Sequence, residues 1–256
     1  MTRLFKLNEL AVSYESKRVL QGVTVAFRTG EFATIAGPNG AGKSTLLNAM
    51  SGIRSRYSGS CKFRDKEVRD WSRRAFAREV AVVPQSLRVD FPFTVEQVVL
   101  MGRAPFANTM FESDEDRYHV DRVMRLTGIA ELCNRDFRTL SGGEKQRAVI
   151  ASALAQMPTV LLLDEPTAFL DIEHQLSLYA LLRKLCENGV LVIAVTHDLN
   201  LAAAYSDRMI LVHDGQIAAD GLPAEVLQPS ILEDVFRVRA QVITNPTGRP
   251  WIRYGP

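Results

Sequence analysis

The chain has 256 residues, 46% of them hydrophobic and 23% charged, with a net charge of +2. That length buries a substantial core in one large domain or two small ones, and so small a charge offers no footing for broad nucleic-acid binding. Isolated and odd in number, Cys61, Cys133 and Cys186 argue against a disulfide framework or a zinc site and suit a reducing cytoplasm. The opening residues lack the apolar core of a signal peptide, and no apolar run approaches the roughly eighteen residues of a membrane span.

Taken in order, residues 4–7, 11–14, 19–27 and 32–35 read as short strands, with Gly30-Glu31 as the turn feeding the last of them. Tyr14 is placed either to offer its ring to a nucleotide base or to cover the core, and spacing does not separate the two. Gly37-Pro38-Asn39-Gly40-Ala41-Gly42-Lys43-Ser44-Thr45 then fits the pattern G-x-x-x-x-G-K-[ST]. Its three glycines let the backbone curl until successive N–H groups point at an anion. Lys43 adds a mobile positive charge for terminal phosphates, and Ser44 a hydroxyl for a magnesium ion. Residues 32–36 read as a buried strand and 44–50 as a helix stopping at Gly52, so phosphate would meet a helix N-terminus. This stretch is a nucleotide site.

Residues 71–78 read as a short exposed helix and 80–83 as a buried strand ending at Pro84-Gln85. Gln85 stands where a strand meets a loop, a place from which an amide reaches a metal or a water; taken alone it is only a glutamine. Residues 91–101 suggest an exposed aromatic entry, Phe91-Pro-Phe93, followed by a helix from near Thr94. Ser113-Asp-Glu-Asp116 has the form of a capping box, Val120, Val123, Met124 and Thr127 recur at helical spacing, and Gly128 is a stop. The regular alternation of strand and helix is interrupted here by helices only, which predicts an inserted helical lobe.

Leu140-Ser141-Gly142-Gly143-Glu144 opens a further helix over roughly 144–156, with Ser141 as N-cap. Its start is either a second anion-ready terminus or a plain capped helix. Val160-Leu-Leu-Leu-Asp164-Glu165 is an apolar strand ending in two carboxylates, which at the C-terminal edge of an α/β sheet face the ligand crevice. Asp164 suits magnesium, and Glu165 is one residue beyond, able to orient or deprotonate an attacking water. Residues 172–188 form an amphipathic helix, 190–195 a buried strand ending at Thr196-His197-Asp198, and 208–219 a hairpin. The tail, residues 240–256, reads as short and only partly ordered.

The ordered set of motifs resembles the ATP-binding subunit of ABC transporters over essentially the whole chain. The resemblance rests on residues 37–45, Gln85, Leu140–Glu144 as the signature, Asp164, Glu165 and His197, with Tyr14 at the base-stacking position. Ala168-Phe-Leu-Asp171 resembles the loop coupling two nucleotide sites, with Phe169 where a small residue is more usual. The implied fold is α/β: a P-loop NTPase (RecA-like) core over 1–86 and 157–239 with an antiparallel β subdomain. A helical subdomain over 87–156 is inserted in it, and 240–256 is the tail. Residues 91–103, 146–156 and 197–203 resemble importers of ferric siderophores, haem and vitamin B12.

That resemblance implies a homodimer paired head to tail, each ATP held between residues 37–45 of one copy and Ser141, Gly142, Gly143 and Glu144 of the other. Asp171 would couple the two sites. Ser44, Gln85 and Asp164 would hold Mg2+, with Lys43, Glu165 and His197 catalytic. An integral membrane permease and an extracytoplasmic substrate-binding protein would complete the system at the cytoplasmic face of the inner membrane, with no nucleic acid. Residues 91–106 form a candidate groove for the permease, unless Phe91 and Phe93 simply fill the lobe's core. Import of a metal ion or an amino acid, or a soluble ABC ATPase outside transport, are the alternative functions.

Overall fold

The apolar positions near the N-terminus build two long strands where three short ones were expected. β1 (Arg3–Tyr14) and β2 (Lys17–Arg28) pair antiparallel. Glu9 adopts a left-handed φ of 48°, and the register shifts between Leu7 and Leu10. The extra residue therefore makes a bulge, which bends a strand without ending it. The Glu9 N–H is recovered by the Thr24 hydroxyl at 2.9 Å. β4 (Ser58–Phe63) and the two-residue β5 (Lys66–Glu67) extend the sheet in the order β2-β1-β4-β5, the expected antiparallel subdomain. Between them, β3 (Phe32–Ala36) is buried at all five positions and leads to helix α1 (Lys43–Met50).

The computed structural model describes residues 2–15, 17–87, 89–107 and 112–255. Its chain divides into two compact units, Met1–Trp71 with Tyr179–Pro256, and Ser72–Leu178.

In the second unit, α2 (Arg73–Ala77) is capped by Ser72 and precedes β6 (Val80–Val83). Thr94 and Ser113 cap α3 (Val95–Leu100) and α4 (Asp114–Leu126) as reciprocal capping boxes. α5 runs over Gly142–Ala155 and starts two residues before the expected boundary, because Ser141 is already its N-cap. β7 (Val160–Asp164) pairs parallel with β6, from Val80 opposite Val160 to Val83 opposite Leu163. In the expected lobe, residue 88 and residues 108–111 lie outside the described residues.

A buried ion pair fastens the helices of this unit. Arg103 Nε donates to Asp116 Oδ1 at 2.7 Å, and Nη1 donates to the Ala155 carbonyl at 3.0 Å, with the guanidinium 4.2 Å from the Phe106 ring centre. Burial pushes the Asp116 carboxyl up, but bonds from Arg103 and Ser113 outweigh it and hold the group below its usual range. Removing one partner strands the other, so Arg103→Met should cost about 3 kcal/mol or more, read as a lower urea midpoint. The lowered value makes the carboxylate's contribution fully present at neutral pH and lost only as pH falls below the ordinary carboxylate range.

The chain returns to the first unit along α6 (Ile172–Glu187) and enters β8 (Leu191–Val195), again buried throughout. β8 and then, after α7 (Leu199–Tyr205), β9 (Arg208–His213) lie parallel to β3 on its two sides. Strands covered on both faces read as unbroken apolar runs, which is how 32–36 and 191–195 are spelled. β10 (Gln216–Gly221) completes the predicted hairpin, and α8 (Pro223–Val226) and α9 (Pro229–Phe236) follow.

The tail departs from its expected partial order. β11 (Ala240–Thr244) and β12 (Pro250–Tyr254) pair antiparallel. Ile252, 1% exposed, packs in a cluster with Leu199 and Leu227, and Asn200 bonds the Ile252 backbone in both directions at 3.1 and 2.7 Å. A single well-buried anchor with its backbone satisfied orders a short hairpin that pattern alone leaves undecided. Pro256 lies outside the described residues.

Candidate active site

The glycine loop is shaped by contacts that forbid side chains. A Cβ on Gly37, at φ 149°, would fall 2.0 Å from the Val212 carbonyl oxygen. One on Gly42, at φ 104°, would fall 2.7 Å from Leu20. Gly42 is also the N-cap of α1 and brings no capping side chain, nor is there an acidic residue in the first turn. The first intrahelical bond is Leu46 N–H to the Gly42 carbonyl at 2.9 Å, so the Ser44 and Thr45 N–H groups precede it. Nothing on this chain's own first turn neutralises that positive end, which fits an anion.

Lys43 is 6% exposed, yet carries a charge. Its ammonium donates to the carbonyls of Gly37 at 2.8 Å and Pro38 at 2.9 Å, curling back over the loop. The loop is held in turn by Gly215, whose N–H donates to the Ala41 carbonyl at 3.1 Å. Asn39 and Gly40 face solvent at its tip. The arrangement is a rim of N–H groups with a cation folded over it, and the residues fit a polyphosphate.

Tyr14 closes β1 and is 42% exposed. One face of its ring carries the Arg54 guanidinium, 4.3 Å from the centroid, which is itself anchored by a 2.7 Å bond to the Ser13 carbonyl. Sequence reasoning missed Arg54, and no local signal marks it: the contact joins positions forty residues apart. His197 follows β8, exposed, between Thr196 and Asp198. Thr196 N–H donates to the Ile35 carbonyl at 3.2 Å, and Asp198 caps α7 through Leu201 N–H at 2.9 Å. His197 is thus pinned on both sides beside the strand that feeds the loop.

The second unit holds the remaining candidates. Gln85 follows β6 and Glu165 follows β7, and parallel pairing brings them together: Gln85 Nε2 donates to Glu165 Oε2 at 2.8 Å. That bond leaves the Gln85 amide oxygen for another partner. Glu165 sits at a left-handed φ of 50°, a strained setting for a non-glycine residue of the kind that concentrates at working sites. Within this unit Asp164 and Gln85 bring carboxylate and amide oxygens, hard donors of the kind that suit Mg2+ with phosphate and water. Among the described residues no group of three or more His, Cys, Asp and Glu could hold a metal ion by itself.

At the start of α5, Ser141 N–H donates to Glu144 Oε2 at 2.8 Å and Glu144 N–H to Ser141 Oγ at 3.3 Å. Ser141's N–H and then its hydroxyl hold the Glu144 carboxyl below its usual range. Gly142 and Gly143 are approached by this chain's own Phe169: a Cβ on Gly142 would lie 3.3 Å from the Phe169 Cβ, and one on Gly143 3.3 Å from its carbonyl oxygen. Phe169 therefore lies against the helix start while remaining 57% exposed. Asp171 accepts from the His174 N–H at 2.9 Å and contacts His174 Nδ1 at 2.6 Å. The Asp-x-x-His spacing at a helix start is the local sequence signal for this contact.

A strand, a glycine loop and a helix in this order, with the loop's carbonyls around a buried lysine, define a P-loop nucleotide-binding protein of the α/β class. The profile of the ABC transporter family matches residues 20–168. The hemin import ATP-binding protein HmuV of Rhodococcus jostii is 42% identical over 93% of this chain and 81% of its own length. The cobalamin import ATP-binding protein BtuD of Halobacterium salinarum is 44% identical over 93% of this chain, which spans 60% of that protein. Among solved structures, an inward-facing metal-chelate type ABC transporter superposes with a TM-score of 0.84 at 25% identity, covering 99% of this chain and 98% of that one. The chain belongs to the ABC transporter family, as an ATP-binding, ATP-hydrolysing subunit. No helix among the described residues is long and apolar enough to cross a membrane.

Proposed function

We propose that this chain powers import of an iron chelate (a ferric siderophore or haem) or of cobalamin through a separate membrane permease. The observation that carries the reading is the uncapped helix start at Gly42 behind the glycine loop, present in one chain with a serine-capped start at Ser141 that the family resemblance assigns to a partner copy's nucleotide. Two copies related by a two-fold axis would bring each start to the other copy's loop, giving two sites with closed symmetry. The names of its relatives, hemin import and cobalamin import, support the cargo class.

In this reading the N–H groups of residues 37–45 and the Lys43 ammonium bind the β- and γ-phosphates, and Tyr14 stacks the base on the face Arg54 leaves open. Glu165, held by Gln85, takes a proton from the attacking water, and His197 orients that water near the γ-phosphate. Ser44, Gln85 and Asp164 supply oxygens for Mg2+, which when bound neutralises developing phosphate charge. Ser141, Gly142, Gly143 and Glu144 serve the partner copy's nucleotide, and Asp171 couples the sites. Residues 1–86 and 157–239 act as the core and 87–156 as the lobe whose position follows the nucleotide through Gln85. The subunits work at the cytoplasmic face of the inner membrane, with an extracytoplasmic binding protein delivering cargo.

Phe91, 70% exposed, presents its ring 6.1 Å from the half-buried Phe93 and is the better anchor for the permease. Phe91→Asp should abolish coupled transport in membrane vesicles while leaving the soluble chain's basal hydrolysis within about twofold, since an exposed substitution costs little stability. Unimpaired transport would remove Phe91 from the docking groove. The whole reading is tested by recovering tagged Glu165→Gln protein from gently solubilised membranes and identifying what comes with it. A many-helix permease encoded beside a chelate, haem or cobalamin binding protein is the expected result, whereas ribosomes or DNA-repair proteins without a permease would overturn it.

A further inference from the structure

A cavity of about 570 Å³ lies in the first unit, lined at one end by the residues that lead into β3, Gly30 and Glu31, and by Asp207 and Arg208 at the start of β9. The phosphate loop follows the other end of β3, a five-residue strand of roughly 16 Å, so the cavity is separate from the nucleotide cradle. Four arginines and three carboxylates line it. All three carboxylates are already engaged. Glu31 accepts from the Arg28 N–H at 2.7 Å and from Arg208 at 3.3 Å. Asp207 accepts from the Phe32 N–H at 2.9 Å and from Arg183 at 2.7 Å, and Glu225 from the Leu222 N–H at 2.9 Å. Arg208 is further fixed by Asp220 at 2.5 Å and by the Ala26 carbonyl at 2.7 Å.

Arg3 and Arg28 differ from these. They are Cα partners across β1 and β2, both exposed, and neither guanidinium meets a carboxylate among the described residues. Like charges directly opposite in an antiparallel pair destabilise it unless something neutralises them. Two uncommitted guanidiniums at the mouth of a concave site, over a wall of fixed ion pairs, match the forked donor geometry that binds carboxylate or phosphate in pairs. The volume falls in the range of small-molecule pockets, and Ala26 and Leu222 add apolar lining for an organic scaffold.

We infer that this cavity binds a small polyanion carrying two or more carboxylate or phosphate groups, with Arg3 and Arg28 as its principal contacts. Occupancy would tie the edge of the antiparallel sheet to the start of the strand that feeds the phosphate loop.

The test uses full-length protein with citrate and inorganic pyrophosphate as probes, measured by titration calorimetry. Lys43→Ala protein removes pyrophosphate binding at the loop from the reading. At least one probe should bind the Lys43→Ala protein, the tighter naming carboxylate or phosphate as the preferred group. Adding Arg3→Ala and Arg28→Ala should weaken that binding at least ~10-fold. On their own, these two changes should leave ATP affinity intact and the probe-free melting temperature equal or higher, because a like-charge pair is relieved. Failure of both probes to bind, undiminished binding after the double substitution, or a lower probe-free melting temperature would each overturn the proposal.

Discussion

Lys43→Ala is expected to weaken ATP binding roughly 10- to 100-fold, the loss of charge-assisted hydrogen bonds to phosphate oxygens. The structure shows why the effect should be large. The ammonium is nearly sealed from water, and its bonds include two to neutral loop carbonyls, at 2.8 and 2.9 Å. Exchanging neutral carbonyls for phosphate oxygens strengthens each bond without new desolvation of the lysine. Truncation removes this gain and leaves the Gly37 and Pro38 carbonyls near the exposed tip, where water replaces the lost donor, so the fold should survive. Equilibrium dialysis with ATP, beside a melting curve, checks both halves. Unaltered affinity in folded protein would count against the cradle.

Glu165→Gln should reduce ATP hydrolysis by about 10²- to 10⁴-fold while leaving ATP binding in place, the scale set by loss of a general base. The substitution is nearly isosteric, and the introduced amide oxygen can still accept from Gln85, so the 2.8 Å contact that orients this side chain is kept. The backbone strain at φ 50° is also unchanged, since both residue types meet it alike. What is lost is the carboxylate's charge and with it the ability to take a proton. With hydrolysis stalled, ATP should hold two copies together, and size-exclusion chromatography should show a dimer with ATP and a monomer with ADP. Turnover at the unmodified rate would remove Glu165 from its role.

The departures of structure from sequence pattern have separate physical causes. The bulge at Glu9 let one strand span what pattern divides in two, because its orphaned N–H found Thr24 across the pair. The terminal hairpin is ordered by Ile252 and Asn200, a contact with α7 some fifty residues earlier in the chain. Phe169 stands where a small residue is more usual, and only the structure shows what it meets: the two glycines at the start of α5.

The local chemistry is legible in the chain alone: the glycine loop with its lysine, the capped helix starts, the acidic strand end and the buried apolar strands. Each is written in neighbouring residues, because turn geometry, capping and burial of short strands are satisfied within a few positions of the chain. Tertiary structure alone decided which distant side chains meet. Gln85 reaches Glu165 through strand pairing, Arg54 backs Tyr14, and Arg3 faces Arg28 over a cavity of engaged carboxylates. Such contacts depend on register and on the path of the backbone between remote elements, and those are settled by packing of the whole chain rather than by any local pattern.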